Sequence, residues 1–524
     1  MLTVELMAKA GGKPSATEVV FSIQDHLPAL YFAFGRGKTE LLAEEISREW
    51  DFLLPGEKEK VAEIIREAEV QNTGLFGHRR HNLKQILIQG IGYHHAGMSP
   101  ALKDLVERLY ESRLIYVLFC TETFAVGVNF PAASTVFDSC RKWDGREFRG
   151  LLNREFYQMA GRAGRRGFDP IGHVFVRIDD RFPEQTGFYR EDEVEPVRGR
   201  LAISPNTVLS LLYWKTDEEI NRFLEQNLAA YQNNRESRRL KGELEALEGK
   251  NAELGNCFCE NIYQPSCFLL RAKLKNELRS LSRRRKRGRP GSRERREEIR
   301  AILKVAPKKC QHHLCVDARK KQDLYTEKRT RLSRRLKVLD RHSRDFEMEF
   351  NNMWDLLEAL DYVDGRELLP RGLFALYLHV QEILVTELIF NGYIRDRAPQ
   401  EVVAILSGVD YIPGREEYVE PGLIKLDHVE ELRKYLLKKG VPENFCVWSH
   451  LPGPLSSAWY DGAAFEELMA RSSLQEGDIF SMLRRTIDLL RQIERAAGED
   501  VELRRQMEHI RHRLDRDEVA IMGI

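Results

Sequence analysis

Two arginines three residues apart, Arg162 and Arg165, stand among glycines in the run Gln158-Met159-Ala160-Gly161-Arg162-Ala163-Gly164-Arg165-Arg166-Gly167. At that spacing both guanidinium groups share one face of a helical turn, and the glycines let another surface come close. A guanidinium is planar and permanently charged, so the pair suits insertion against a triphosphate held by a neighbouring domain. It would neutralise charge developing on the transferred phosphoryl group, an effect on the order of 10³-fold or more in rate. A solvated arginine-rich turn would carry the same letters, so the motif needs company. Thr121-Glu122-Thr123-Phe124-Ala125-Val126-Gly127-Val128-Asn129-Phe130-Pro131 directly follows the apolar run Tyr116-Val117-Leu118-Phe119. A strand ending in Thr-x-Thr before a glycine turn presents hydroxyls and amides at the carboxyl edge of a sheet, where ligands of open α/β sheets bind. Gly90-Ile91-Gly92-Tyr93-His94-His95-Ala96-Gly97 reads as a second glycine-rich turn. Its paired histidines are expected to pack and hydrogen-bond rather than ligate metal.

Two further groups could do chemistry. Ile479, Leu483, Ile487, Leu490 and Ile493 form an apolar stripe at helical spacing, with Arg484, Arg491 and Arg495 largely off it and able to meet phosphates. An ordinary amphipathic helix with a solvated face is the competing reading. Five of the eight cysteines (Cys257, Cys259, Cys267, Cys310 and Cys315) cluster in one polar segment, with His312 and His313 between the last two. Four ligands drawn from these would make a closed structural zinc site, although C-x-C and C-x₄-C are not the usual paired spacing. Reduced, unliganded cysteines at a helix pair are the alternative.

Positioning these residues requires distinct bodies. At 524 residues, with 31% charged and 42% apolar, the chain has room for two to four charged globular domains. Its formal net charge of +1 excludes nothing, because a balanced total can hide a basic groove. There is no signal-peptide core and no apolar run long enough to span a bilayer, so the expected compartment is the cytoplasm. Residues 27–180 alternate short β-type runs with helical patterns, predicting an α/β domain with a parallel sheet, bounded at 27–198. Within it, Leu30 to Phe34, Ile115 to Phe119, Thr135 to Phe137 and His173 to Ile178 read as strands. Lys38 to Trp50 reads as a helix with Leu41, Leu42 and Ile46 inward. Residues 1–26 are expected to be a linker remnant. Beyond residue 200 the pattern is helical: 199–232 as two short helices, 233–345 as a projecting polar stalk, and 346–524 as a more apolar bundle. The stalk's arginine run from Arg283 to Arg289 could engage phosphates, or be a solvated tip.

Phe34 to Thr39, the glycine-histidine segment, the Thr121 segment and the arginine run occur in the order and spacing of motifs IV, IVa, V and VI of superfamily-two helicases. With Asp138-Ser139-Cys140-Arg141-Lys142-Trp143-Asp144-Gly145, the chain resembles the DExH-box RNA helicases of the superkiller and nuclear-exosome class. The likeness extends over Ser204 to Leu212, Leu388 to Gly392, Pro399 to Ser407 and Glu476-Gly477-Asp478, covering roughly 27–232 and 346–524. It implies a RecA-like domain, a winged-helix-type segment at 199–232, a helical stalk and a C-terminal helical bundle. By that resemblance Arg162 and Arg165 are the arginine fingers, Gln158 orders the catalytic centre, and Gly127 and Asn129 line the nucleotide. Arg36 and Thr121 face the nucleic-acid backbone, and the Ile479 to Arg495 helix lines its channel. The implied cofactors are ATP and Mg, with the Mg ligands on a first RecA-like domain acting in cis or trans. The implied partner is nucleic acid, and RNA and a 3′-to-5′ direction come from the likeness alone.

No G-x-x-x-x-G-K-[ST] loop or DExH sequence occurs in these residues; Gly37-Lys38-Thr39 has Phe32 where the loop requires glycine. The expectation is therefore the C-terminal part of an ATP-dependent helicase, inactive without a first motor domain. Two other readings stay open: a non-catalytic nucleic-acid-binding subunit completing an ATPase on another chain, and a DNA helicase of the same superfamily.

Overall fold

A computed structural model describes the chain except residues 1, 10–11, 73, 78–79, 126–131, 146, 165–168, 180–194, 256–263, 265–266, 287–292, 310–312 and 521–524. It divides into two compact units, one formed by residues 1–197 and 356–524 and the other by 198–355.

The first unit is built on a six-stranded parallel sheet. In chain order its strands are β1 (Leu2–Met7), β2 (Ala29–Phe32), β3 (Ile91–His94), β4 (Val117–Cys120), β5 (Ser134–Phe137) and, after a two-stranded hairpin of β6 (Arg141–Trp143) and β7 (Phe148–Gly150), β8 (Gly172–Arg177). In space the order is β1-β8-β5-β2-β4-β3. Every residue of β2, β3, β4 and β5 is buried, the signature of a parallel sheet covered on both faces. The flanking helices are α1 (Ala16–Ser22), α2 (Arg36–Ser47), α3 (Pro55–Gln71), α4 (His81–Ile88), α5 (Pro100–Glu111) and α6 (Asn153–Ala160). This is a RecA-like arrangement, as the resemblance implies, and its parallel sheet is the one the alternating pattern predicts.

Three expectations need correction here. Residues 1–26 are not a linker remnant: β1 pairs along its whole length with β8, and α1, opened by a Ser15–Glu18 capping box, buries Ala16, Val19 and Val20 in the core. The Gly90 to Gly97 segment is largely the strand β3, because Ile91 and Tyr93 are apolar enough to be buried, and only its end turns. Leu41 faces outward at 67% exposure; Thr39, Leu42, Ala43 and Ile46 carry the inner face of α2.

The second unit is helical, and no strand occurs among its described residues: α7 (Pro205–Trp214), α8 (Asp217–Glu225), α9 (Leu228–Gly255), α10 (Phe268–Lys286), α11 (Arg293–Val305) and α12 (His313–Ala359). Ser204 and Thr216 cap α7 and α8, so both short helices begin where the sequence places them, but α8 ends at Glu225 and α9 opens at Leu228, inside the expected 199–232 segment. Compactness joins 199–232 to the stalk, and α12 runs straight through the expected boundary at 345.

The remainder of the first unit holds α13 (Pro370–Ala375), α14 (Glu382–Phe390), α15 (Pro399–Ser407), α16 (Asp427–Lys438), α17 (Gly453–Asp461), α18 (Phe465–Ala470), α19 (Glu476–Ala496) and α20 (Val501–Leu514). The predicted stripe of α19 is fully buried: Ile479, Leu483, Ile487, Leu490 and Ile493 are each 0% exposed. No helix of the described residues is long and apolar enough to cross a membrane.

Candidate functional site

Short chain segments bring the ends of two sequence motifs together at the amino edge of the sheet. α6 ends at Gly161, leaving Gln158 exposed on its last turn. Arg162 follows, and its Nη2 donates to the Ala125 carbonyl. The Ala132 amide donates to the Arg162 carbonyl at 2.9 Å, and the Gly164 amide to the Ala132 carbonyl at 2.8 Å. Gly164 has φ +93°, a left-handed conformation that favours glycine, and lies against Gly172 at the start of β8. Thr121 lies at the opposite, carboxyl edge, its Oγ1 2.8 Å from Thr123 Oγ1. Thr121 and Ala132 therefore stand at opposite edges of the sheet. Arg165, Gly127 and Asn129 lie outside the described residues.

The β6–β7 hairpin is fastened to α6 by one carboxylate. Glu155 accepts a bidentate pair from Arg149 (2.7 and 2.9 Å), and its Oε1 lies 3.0 Å from Lys142 Nζ. Burial pushes the Glu155 carboxyl up, but Arg149, the Leu152 amide and Lys142 outweigh it and hold it down to about 2. The hairpin presents Trp143 and Phe148 edge to face at 5.3 Å, both exposed, with the Arg415 guanidinium 5.5 Å from the Trp143 ring.

At the carboxyl edge, β3 delivers a polar network to the first turn of α19. His95 is fully buried; its Nδ1 accepts from the Gly97 amide (3.1 Å) and its Nε2 meets Glu40 Oε1 (2.9 Å). Arg80, buried to 6% exposure, donates to Glu40 (2.9 Å) and the Gly97 carbonyl (3.1 Å), and its Nε lies 3.3 Å from Glu476 Oε2. Burial pulls the Arg80 guanidinium down, but Glu476 and its other neighbours raise it overall. The Ser99 amide also donates to Glu476, at 3.2 Å. The Gly477 amide donates to the Gly97 carbonyl at 3.1 Å, so two glycine backbones touch; a Cβ on Gly477 would lie 2.1 Å from the Ala96 carbonyl oxygen. Arg36 completes the contact, its Nη1 donating to Asp478 Oδ2 (2.6 Å) and Gln475 Oε1 (3.1 Å). The histidines thus pack and hydrogen-bond as expected, His94 by way of Glu107 at 2.9 Å. Arg36, expected to face a nucleic-acid backbone, is instead held by an acidic helix terminus.

Beside this contact lies a groove of about 700 Å³ between the sheet domain and the bundle, lined among others by Arg36, Lys103, Phe480, Arg484, Arg485 and Asp488. Arg484 reaches it, stacking over the Phe480 ring at 4.2 Å and donating to the Val519 and Ala520 carbonyls. Arg491 and Arg495 do not line it: Arg491 pairs with Asp515 at 3.2 Å, and Arg495 is exposed one turn further on. Two cations escaped the sequence reading. Lys103 comes from α5, and burial pulls its ammonium below the ordinary lysine value. Arg485 belongs to a polar row of α19, Ser481, Arg485, Asp488 and Gln492, whose i, i+4, i+7, i+11 spacing was a usable signal.

Gly37-Lys38-Thr39 is no phosphate loop. Lys38 Nζ is bound 2.5 Å from the buried Asp138 carboxylate, which Lys13, Arg177 and Tyr31 also contact, and Thr39 Oγ1 donates to the Arg36 carbonyl. Of the cysteines, Cys267 is a buried free thiol; Cys257, Cys259 and Cys310, like His312, lie outside the described residues, and Cys315 stands in α12 beyond His313. Among the described residues no three potential ligands form a metal-binding group.

Comparison with known proteins agrees with this geometry. A helicase conserved C-terminal domain matches residues 56–167, and a DSHCT (NUC185) domain matches residues 366–521. Superkiller complex protein 2 of Homo sapiens is 38% identical over 193 residues, 36% of this chain and 15% of that protein. DExH-box ATP-dependent RNA helicase DExH11 of Arabidopsis thaliana is 54% identical over 108 residues, 21% of this chain and 8% of that protein. ATP-dependent RNA helicase mtr4 of Schizosaccharomyces pombe is 34% identical over 231 residues, 43% of this chain and 20% of that protein. The chain thus spans a fifth or less of the length of these three relatives.

Proposed function

We propose that this chain, which carries helicase C-terminal and DSHCT domains homologous to those of superkiller and exosome-type DExH RNA helicases, is the strand-gripping and arginine-supplying part of an ATP-dependent RNA helicase. The observation that carries the reading is where Thr121 and Ala132, eleven positions apart in the chain, each stand on the sheet. Thr121 stands at the carboxyl edge, and Ala132 is bonded to the backbone of Arg162 at the amino edge. A change in what the arginine turn meets would thereby be felt where a strand is gripped.

Arg162, with Arg165 beside it in sequence, would stabilise the phosphoryl group in flight, and Gln158 would help order that centre. Gly127 and Asn129 would border the nucleotide. ATP and Mg would be held by a first RecA-like domain, in cis or in trans, with Mg neutralising the β and γ phosphates. On this reading the chain needs that domain to hydrolyse ATP. Lys103, Arg484 and Arg485 would meet the RNA backbone in the groove, Thr121 would face it from the sheet edge, and the exposed Trp143 and Phe148 would offer a stacking surface. Four of Cys257, Cys259, Cys267, Cys310 and Cys315 would hold a structural zinc, which elemental analysis of the purified protein tests; the buried Cys267 thiol suits such a ligand. The working compartment on this reading is the cytoplasm.

The test is ATPase activity with single-stranded RNA, before and after addition of a matching first motor domain. Activity is expected only in the combined sample, and Arg162→Ala should reduce it on the order of 10³-fold. A combined sample that stays inactive while RNA is still bound would leave the non-catalytic binding subunit as the reading. Faster unwinding of DNA than of RNA duplexes would place the substrate on the DNA side.

A further inference from the structure

The cations bordering the groove do not all serve to touch the strand. Resting on the strand-gripping reading above, we infer that Arg36 and Arg80 are positioning residues. They form a joint that clamps the first turn of α19 to the sheet domain and so sets the width of the groove. Arg80 cannot reach a ligand: it is 6% exposed and surrounded by Glu40, Glu476, Tyr93 and the Gly97 carbonyl. Arg36 borders the groove, but its guanidinium is turned onto Asp478 and Gln475, both at the start of α19.

Two guanidinium groups from the sheet domain thus meet two carboxylates, Glu476 and Asp478, from one helical turn. The Gly97–Gly477 backbone contact lies between them. That contact has no room for a side chain on Gly477, where a Cβ would meet the Ala96 and Met98 carbonyl oxygens at 2.1 and 2.8 Å, whereas one on Gly97 would displace the Gln475 side chain. The groove has one wall from each side of this joint, with Lys103 on α5 and Arg484 and Arg485 on α19. Moving α19 by one or two ångströms would misplace the α19 cations relative to Lys103, although no phosphate contact had been removed. Burial makes the Arg80–Glu476 pair sensitive to loss of either member, while the half-exposed Arg36–Asp478 pair tolerates exchange.

The test uses the whole chain and a fluorescent single-stranded oligouridylate, with hydrogen exchange of α19 as the second readout. Arg36→Asp, Asp478→Arg, their combination, Arg80→Gln and Arg485→Ala are compared with the natural protein. Arg36→Asp and Arg80→Gln should each weaken binding about tenfold and speed exchange in the first turn of α19. The exchanged pair, Arg36→Asp with Asp478→Arg, should return affinity to within about threefold and restore protection. Arg485→Ala should weaken binding with exchange unchanged.

An exchanged pair that binds as weakly as Arg36→Asp alone would mean that Arg36 holds the strand directly, overturning the joint. Unchanged exchange in both Arg36→Asp and Arg80→Gln would overturn it as well. If Arg485→Ala also binds like the natural protein, the failure belongs to the groove itself and to the strand-gripping reading.

Discussion

His95 is buried completely yet keeps both ring nitrogens occupied, Nδ1 by the Gly97 amide and Nε2 by Glu40. Accepting at Nδ1 requires the neutral ring, so a second proton would break the bond beside the Gly97–Gly477 contact. Burial pulls the imidazole below the ordinary histidine value of about 6.5, and the hydrogen bond to Glu40 only partly opposes it. The unfolded chain then takes up the proton more readily than the folded one. This contribution to stability is therefore complete above about pH 6.5 and is lost as pH falls from there toward the folded value. Thermal unfolding should show a midpoint that drops between pH 7.5 and 5.5, and His95→Gln should flatten that slope; an unchanged slope would remove His95 from the account. At the same scale, Arg485→Ala should lower the salt dependence of oligonucleotide binding by about one unit of log–log slope, read from titrations at several salt concentrations.

Elements differ in how they are held. α19 owes its place to a fully buried apolar stripe along its length and to polar contacts at its first turn. Gly477 belongs to those contacts, and Gly477→Ala should destabilise the protein measurably in urea while leaving helix content unchanged, because the added methyl meets backbone rather than a yielding side chain. The opposite end of the sheet depends on β1 and α1. Ile23, just past α1, is 0% exposed, so Ile23→Ala should cost about 2–5 kcal/mol in equilibrium unfolding. A loss below 0.5 kcal/mol would mean that the amino-terminal segment is not part of the folding unit.

Across the whole molecule, the first unit is assembled from two stretches of chain, 1–197 and 356–524, separated by the helical unit of 198–355. The two stretches are joined by the Arg36, Arg80 and Gly97 contacts, which involve residues some 380 to 440 positions apart. A single proteolytic cut within the arginine run at 283–289 should therefore leave two fragments that co-elute in gel filtration at low salt. Separation of the fragments under those conditions would show that the covalent connection, not the joint, holds the unit together.

Local chemistry carried much of this protein in its letters. The parallel sheet follows from uniformly apolar strands alternating with helices, α7 and α8 from their caps, and the inward face of α19 from a stripe at helical spacing. β1 and α1 were missed because a short edge strand has little periodicity and finds its partner, β8, about 170 residues later. The fates of Arg36, Arg491, Lys38 and Lys103 were decided only in three dimensions. Their charges are equal in sequence, and what separates them is which carboxylate the fold brings within reach: Asp478, Asp515, Asp138, or, for Lys103, a half-buried wall of the groove.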